Sequence, residues 1–355
     1  MTPRSTVDAN AGAFALNEQS SYGQGSAYAG IAAGGDLSSM FWNPATMTLV
    51  PGIQTELVAT GIIPYISNTP NAASPGAFLG GSGNVGDSAL VPSGYASWQI
   101  NPNLWLGLSL NSPFGLSVSF PNQWAGSDYA AGSSSIKTYN TTPSFAYRFN
   151  DMISVGFGVQ FQYAKADITT GPGLGAVISE LSGNGWGYGF TAGITLTPTP
   201  TTTIGLGYRS AINQKIDGTL AVTGLPTFAV STTVNLPDTV SLGLRQRLTS
   251  QWTGLATIEW TNWSRIGTAT LNTASGAPAL VNGAAVILPF QFEDGWLFSV
   301  GAEYQWADKL AVRGASATRS RRSPIRCASR CCPTTTAHDY RWEGLINSAR
   351  RCPSI

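Results

Sequence analysis

Residues Ile153–Tyr163 read ISVGFGVQFQY. Ile153, Val155, Phe157, Val159, Phe161 and Tyr163 share one side of an extended chain; Ser154, Gly156, Gly158, Gln160 and Gln162 share the other. A period of two held over this length specifies a β-strand, because successive side chains of a strand point to opposite faces. One face is wholly apolar, and the other holds only glycine and small or amide side chains.

Outward from this stretch the same alternation recurs. Before it, a strand ends at Phe149 and the Asn150-Asp151 turn links the two. Further strands are expected over Ile53–Ile63, Ala89–Ile100, Leu104–Leu110, Trp186–Leu196, Ile204–Lys215, Val230–Leu248 (interrupted near Pro237), Trp252–Ile266 and Gly295–Trp306. Short turns at 101–103, 150–151, 197–202, 249–251 and 307–308 alternate with long polar loops at 64–88, 121–135, 167–185 and 272–292. Only the link near Gly224 fits neither class. Tight turns at one end and long loops at the other are the habit of an outer-membrane barrel. Trp186, Tyr208, Trp252, Trp260, Trp296, Tyr304 and Trp306 fall towards strand ends, where amphipathic rings would form interfacial girdles. Aromatics filling the core of a β-sandwich are the alternative. Glu56, Arg209, Arg245, Arg247, Glu259 and Glu303 occupy the opposite face, which suits a wet lumen and not lipid.

Composition agrees. Only 10% of residues are charged, yet no run of 18 apolar residues is present to form a membrane helix. Low charge without an apolar run fits strands that show every second residue to lipid, although a soluble β-sandwich or solenoid shares the composition. The fold expected is all-β, a transmembrane antiparallel β-barrel. The stretch Ala11–Val50 lacks the alternation, is rich in small residues and carries only Glu18 and Asp36 as charges. It reads as a compact plug inside the barrel. No Ser/His/Asp, Cys/His, P-loop or paired-carboxylate constellation stands out, so the chain does not read as an enzyme, and no cofactor or metal is expected. A porin for hydrophilic solutes shares the strand pattern but predicts an open lumen without a plug.

Several motifs carry a resemblance. LNEQSSYGQGSAYAG (Leu16–Gly30), WNPATMT (Trp42–Thr48), NSPFGLSVSF (Asn111–Phe120), WGYGFTAGI (Trp186–Ile194), GYRS (Gly207–Ser210), NLPDTVSLG (Asn235–Gly243) and WTNWS (Trp260–Ser264) occur in order. Together they resemble the FadL-type outer-membrane transporters of long-chain fatty acids, a family that includes channels for toluene and other aromatic hydrocarbons. The resemblance implies a barrel of about 14 strands with an amino-terminal plug. It implies passive uptake of hydrophobic molecules through an apolar pocket, with a lateral exit at a kinked strand. Asn43, Pro44 and Ala45 match the family's plug motif: Pro44 fixes φ and Asn43 can bond local backbone, making a rigid corner. A simple turn ending the plug is the alternative reading of the tripeptide. Pro113, Phe114 and Gly115 interrupt the third strand, since Pro breaks a strand's ladder, and the resemblance places the kink there. A strand ending in a loop is the alternative. Phe14, Leu16 and Phe41 are candidate substrate contacts. The partners implied are a hydrophobic small molecule, outer-membrane lipid and lipopolysaccharide, and the barrel-assembly machinery, with no nucleic acid and a monomeric state.

The domain reading is 1–10 as a non-native or processed segment, 11–50 as plug, 51–312 as barrel strands and 313–355 as an anomalous tail. MTPRSTVDANAGAF has no apolar core of a signal peptide, so the true start is expected upstream. The tail holds 9 of the 19 Lys and Arg, and 2 of the 18 Asp and Glu, so the first 312 residues are net acidic. It also holds all four cysteines (Cys327, Cys331, Cys332, Cys352) and His338, the only histidine. A zinc site at this spacing matches no usual pattern; a basic tail binding nucleic acid or anionic lipid is a second reading. The reading preferred is a shifted reading frame after about Val312, because a shift of one base restores a segment resembling the family's continuation. About ten complete strands and the start of an eleventh are then expected.

Overall fold

The structure, a computed structural model, describes residues 14–69, 77–121, 124–125, 132–170, 179–281, 284–290, 292–307 and 310–321. The tail cysteines and His338 lie outside the described residues, as do residues 1–13. The strands are β1 (Ile53–Ile62), β2 (Ala89–Asn101), β3 (Leu104–Asn111), β4 (Gly115–Phe120), β5 (Gly132–Arg148), β6 (Ile153–Thr170) and β7 (Ser179–Thr199). They continue as β8 (Thr202–Arg209), β9 (Ile212–Val222), β10 (Phe228–Leu236), β11 (Thr239–Arg247) and β12 (Trp252–Thr261). Five short pieces follow: β13 (Thr268–Thr270), β14 (Asn272–Thr273), β15 (Leu280–Val281), β16 (Ala284–Ala285) and β17 (Ile287–Pro289). Two long strands, β18 (Gly295–Ala307) and β19 (Leu310–Arg321), follow.

The sheet runs β1-β2-β3-β5-β6-β7-β8-β11-β12-β18-β19, with neighbours antiparallel throughout. β4 extends β3 alongside β5, while β9 and β10 pair with each other as the upper halves of the strands begun by β8 and ended by β11. Side chains set the tight turns. Asn101 Oδ1 accepts from the amides of Asn103 and Leu104 at 2.9 and 3.0 Å. Asn150 Oδ1 likewise accepts from Met152 and Ile153 at 2.8 and 2.9 Å. Such side-chain-to-backbone turns fix the register of each hairpin, and a slip by one residue would exchange the two faces.

Those faces are inverted relative to a soluble protein. In β6, Val159 and Phe161 are exposed, whereas Gln160 and Gln162 are 1% and 0% accessible. Leu106, Leu108 and Leu110 of β3 and Leu242 and Leu244 of β11 also face outward and are exposed. A contiguous apolar exterior of this extent belongs against lipid. Aromatic rings mark its rims: Trp260 stands opposite Trp296 at one end of the β12–β18 pair, and Trp252 opposite Tyr304 at the other. The eight-residue separation spans about 26 Å along a strand, the scale of the apolar band of outer-membrane barrels.

Residues 14–50 fill the interior. They form α1 (Ser21–Gly25) and three 3-10 turns at Ile31–Ala33, Leu37–Phe41 and Pro44–Leu49. α1 reaches both flanks of the sheet: Gln24 Nε2 donates to Thr60 Oγ1 on β1 at 2.9 Å, and Tyr22 Oη donates to Glu303 on β18 at 3.1 Å. The sheet therefore curls around the plug until its two ends meet the same helix, although β1 and β19 do not pair among the described residues.

Several sequence expectations need correction. The loop expected at 167–185 is largely strand, since β6 continues to Thr170 and β7 begins at Ser179. Likewise β5 already starts at Gly132 within the expected loop 121–135. Both extensions are polar, which hides them from a pattern search. Asp167 and Ser182 pair across β6 and β7 with a 2.6 Å hydrogen bond. The expected strand Ile204–Lys215 breaks at Ser210-Ala211, where the β8 half pairs with β11 and the β9 half with β10. The expected strand to Ile266 ends at Thr261 and turns into a 3-10 helix at Trp263–Ile266. Beyond Val312, β19 keeps its pairing with β18 to Arg321, nine residues past the expected boundary.

Candidate functional site: the plug, the strand break and two chambers

The inward charges do not line open water; most of those on the wall hold the plug. Plug carbonyls have no ladder to join, and a buried unpaired carbonyl is costly, so wall side chains must donate to them. Tyr95 Oη donates to Gln19 O at 2.7 Å, Trp105 Nε1 to Val50 O at 3.0 Å, Ser299 Oγ to Ala27 O at 2.6 Å, and Arg148 to Thr48 O. Tyr22 lies among Arg245, Glu303 and Arg313, with the Arg313 guanidinium 4.3 Å from its ring centre and 2.7 Å from Glu303. The wet-lumen expectation for Arg209, Arg245, Glu56 and Glu303 gives way to this gripping role; Arg247 is exposed at a strand end.

Asn43 is the centre of the plug corner. Its Oδ1 accepts from the Ala45 amide at 3.0 Å, capping the 3-10 turn that opens with Pro44. Its Nδ2 donates to Ala32 O at 2.8 Å and to Ile194 O of β7 at 3.1 Å, joining two plug turns and the wall. The wall meets this corner with glycine. A Cβ on Gly193 would collide with Asn43 Oδ1, one on Gly207 with Trp42 O, and one on Gly156 with the Pro44–Ala45 peptide. Gly156, Gly193 and Gly207 are direct neighbours across β6, β7 and β8, so a row of missing side chains forms the seat.

The remaining sequence candidates converge on one place. The third spanning strand breaks between β3 and β4 at residues 112–114, where Pro113 cannot donate to a ladder. Residues 89–93 of β2 have a strand partner only in β1, leaving a break in the wall. The plug's first described residues fill it. Leu16 N donates to Pro113 O and Gly115 N to Phe14 O, both at 2.9 Å, making an antiparallel bridge between Ala15 and Phe114. Gln19 completes the seal, donating to Ser112 O at 2.7 Å and accepting from Ser93 Oγ at 2.8 Å. The Leu16 side chain covers Gly115, where a Cβ would lie 2.9 Å from its Cδ1.

Two chambers flank this seam. The outer one has an apolar lining that includes Phe14, Ile168, Leu181, Val230, Leu271 and Phe290. The inner one is bordered by Leu16, Phe41, Phe114, Arg209, Glu259 and Trp263. Between them, Phe14 packs against Phe114 and Trp263 with ring centres 5.7 and 5.5 Å apart. The structure thus brings together Phe14, Leu16, Pro113, Phe114 and Gly115, with Phe41 lining the inner chamber. Asn43, Pro44 and Ala45 form a separate anchor. Sequence reasoning passed over Trp263 and Gln19, and took Arg209 only as a lumen charge. A lone arginine in an otherwise apolar spanning strand was the signal for Arg209.

The chain matches the family described as outer membrane protein transport protein (OMPP1/FadL/TodX) over residues 4–327. A long-chain fatty acid transport protein of Salmonella typhi is 26% identical over 338 residues, covering 84% of this chain and 76% of the relative. Outer membrane protein P1 of Haemophilus influenzae is 27% identical, covering 87% and 77%. Among solved structures, a Pseudomonas aeruginosa FadL homologue superposes with a TM-score of 0.73 at 22% identity, covering 86% of this chain and 80% of that one. The Ralstonia pickettii toluene transporter TbuX gives 0.64 at 18%, covering 80% and 82%. An inside-out antiparallel sheet curled about an amino-terminal plug, matched over most of its length by one family, makes this chain a member of the OMPP1/FadL/TodX transport proteins of the bacterial outer membrane.

Proposed function

We propose that the protein is a passive channel for hydrophobic small molecules, long-chain fatty acids first among them. A molecule from outside enters the apolar outer chamber, passes the Phe14–Phe114–Trp263 cluster, and leaves sideways through the β3–β4 break once residues 14–19 withdraw. The observation that carries this reading is that on the side of the break facing away from β5, where β2 has no strand partner, the plug's own main chain supplies the hydrogen bonds, while Thr138 of β5 holds Phe114 on the other side. A seal of two backbone bonds and one glutamine can open without dismantling the sheet. Asn43-Pro44-Ala45, seated on glycine, is the fixed end of the plug, and residues 14–19 are its moving end. The working unit is a monomer, residues 11–50 forming the plug and the strands from β1 through β19 the wall. Its outward face meets outer-membrane lipid and lipopolysaccharide, and the assembly machinery of that membrane inserts it.

A disulfide tests the route. Ala15 and Phe114 form a non-hydrogen-bonded antiparallel pair, whose side chains approach closely enough for a cross-link. In a variant with the tail cysteines replaced by serine, Ala15→Cys with Phe114→Cys should block liposome uptake of oleate when oxidised and restore it when reduced. Undiminished uptake in the oxidised form rejects the lateral route. Uptake of sugars in place of oleate or toluene by the unmodified chain rejects the hydrophobic assignment.

A further inference from the structure

The chain contains four lysines, Lys137, Lys165, Lys215 and Lys309, of which Lys309 lies outside the described residues. The other three gather in one place. Lys137 of β5 stands directly opposite Lys165 of β6, Lys165 opposite Asn184 of β7, and Asn184 opposite Asp217 of β9, two residues after Lys215. All three lysines are exposed, whereas Arg148, Arg209 and Arg245 point inward and donate to the plug. One step nearer the lipid on the same outward face stands a second row, Tyr139, Tyr163 and Trp186. Successive residues on one face are about 7 Å apart, so the amines lie just above this ring belt, at the end of the sheet that carries the long loops. Lys165 has Asp167 at 3.0 Å and Lys215 has Asp217 at 3.8 Å, but 54% and 69% of these lysine side chains are accessible, and pairs so exposed hold weakly. Lys137 has no carboxylate within 4.0 Å among the described residues; Asp167 acts on it only through space, and Glu180 stands further up β7. Like charges directly opposite on a sheet repel, so the Lys137–Lys165 pair is costly unless an anion sits between the two.

The outer leaflet of an outer membrane presents an anion at that height, the phosphates of the lipid A part of lipopolysaccharide, with acyl chains below them. The wall matches that order from top to bottom: amines, then the ring belt, then the apolar stripe of Phe161 and Phe157. We propose that Lys137 and Lys165 hold a lipid A phosphate between them, with Lys215 to one side, as a binding site for one lipopolysaccharide molecule. This rests on the reading that the outward face meets the outer leaflet, and narrows that contact to four strands. An ammonium suits the task, because it is a compact charge with three rotatable donors on a stem long enough to rise from an apolar wall to the headgroups. Lys137 also lies opposite Gly115 across the β4–β5 pair, so the bound lipid would flank the break that Leu16 covers.

The test is equilibrium binding of bisphosphorylated lipid A, dephosphorylated lipid A and phosphatidylglycerol to the full chain in a neutral detergent. The wild type should hold bisphosphorylated lipid A at least about tenfold more tightly than either other ligand. Lys137→Gln combined with Lys165→Gln should bring the three affinities to within about threefold, and Lys137→Arg with Lys165→Arg should keep most of the difference. The arginines of the tail are the same in every variant, so they cannot produce that change. Heat-modifiable migration on SDS gels checks that each variant is folded. Equal wild-type affinity for the two forms of lipid A overturns the proposal, and that comparison needs no variant. Equal affinity for phosphatidylglycerol overturns the choice of lipopolysaccharide, and a preference that persists in the folded glutamine variant overturns the assignment to these lysines. Insertion into phosphatidylcholine vesicles, which hold no lipid A, and oleate uptake by them report on the membrane and channel readings separately.

Discussion

At the scale of single residues, the plug is held by a few side chains that each satisfy several backbone groups. Asn43 bonds Ala32, Ala45 and Ile194 at once. Asn43→Ala orphans these groups inside the barrel, and each buried unsatisfied group costs about 1–3 kcal/mol. The expected result is a plug cut faster by protease while the wall still migrates as folded, measured by timed digestion on gels. Asp36 adds a pH dependence. Burial pushes its carboxyl above the ordinary aspartate range, while the 2.6 Å bond with Ser38 Oγ offsets that in part. Glu56 of β1 faces the same serine, accepting from its amide at 3.0 Å, and Arg313 is the nearby cation. A carboxyl with a raised pKa in the folded state favours docking while protonated, so docking weakens as pH rises above about 4, the ordinary aspartate value. Asp36→Asn should flatten the profile of plug protection between acid and neutral pH, read by the same digestion.

At the scale of elements, the break between β3 and β4 is where the proposed lateral exit lies. Pro113 removes a donor and Gly115 removes a side chain, so the plug can supply both the bonds and the cover. Gly115→Val would place branched methyls where Leu16 packs, with its Cβ already 2.9 Å from Leu16 Cδ1. The seal should loosen by about 1–3 kcal/mol, the usual cost of overpacking. Basal leakage of a hydrophobic dye into liposomes should then rise severalfold. The upper halves of β6 and β7 show why element boundaries escaped the sequence. Apolar alternation stops where lipid stops, but the hydrogen-bond ladder goes on through polar residues to Thr170 and Ser179.

At the scale of the whole molecule, stability comes from lipid outside and the plug inside. Val159→Arg on the outward face should destabilise the inserted protein by about 2–4 kcal/mol if it lies near the bilayer centre. Urea unfolding from liposomes would show this as a lowered midpoint. A value near zero would mean that the outward face does not lie in lipid. Because the plug touches β1 and β18 near the two ends of the sheet, its docking also draws those ends together.

The sequence by itself determined the strand alternation, which face is apolar, the tight turns and the existence of a non-strand plug. Each is written in neighbouring residues, because a period of two and a turn-forming Asn are local properties. Residues remote in the chain meet only in the folded molecule. Phe14 meets Phe114 and Trp263 because the plug's first residues reach the wall break, and the Gly156–Gly193–Gly207 row exists only once β6, β7 and β8 are in register. Arg209 reads as one lumen charge among several until packing sets it against Phe41 and Gln160. Pairing, enclosure and chamber volume depend on distances between strands, and those distances belong to the tertiary structure alone.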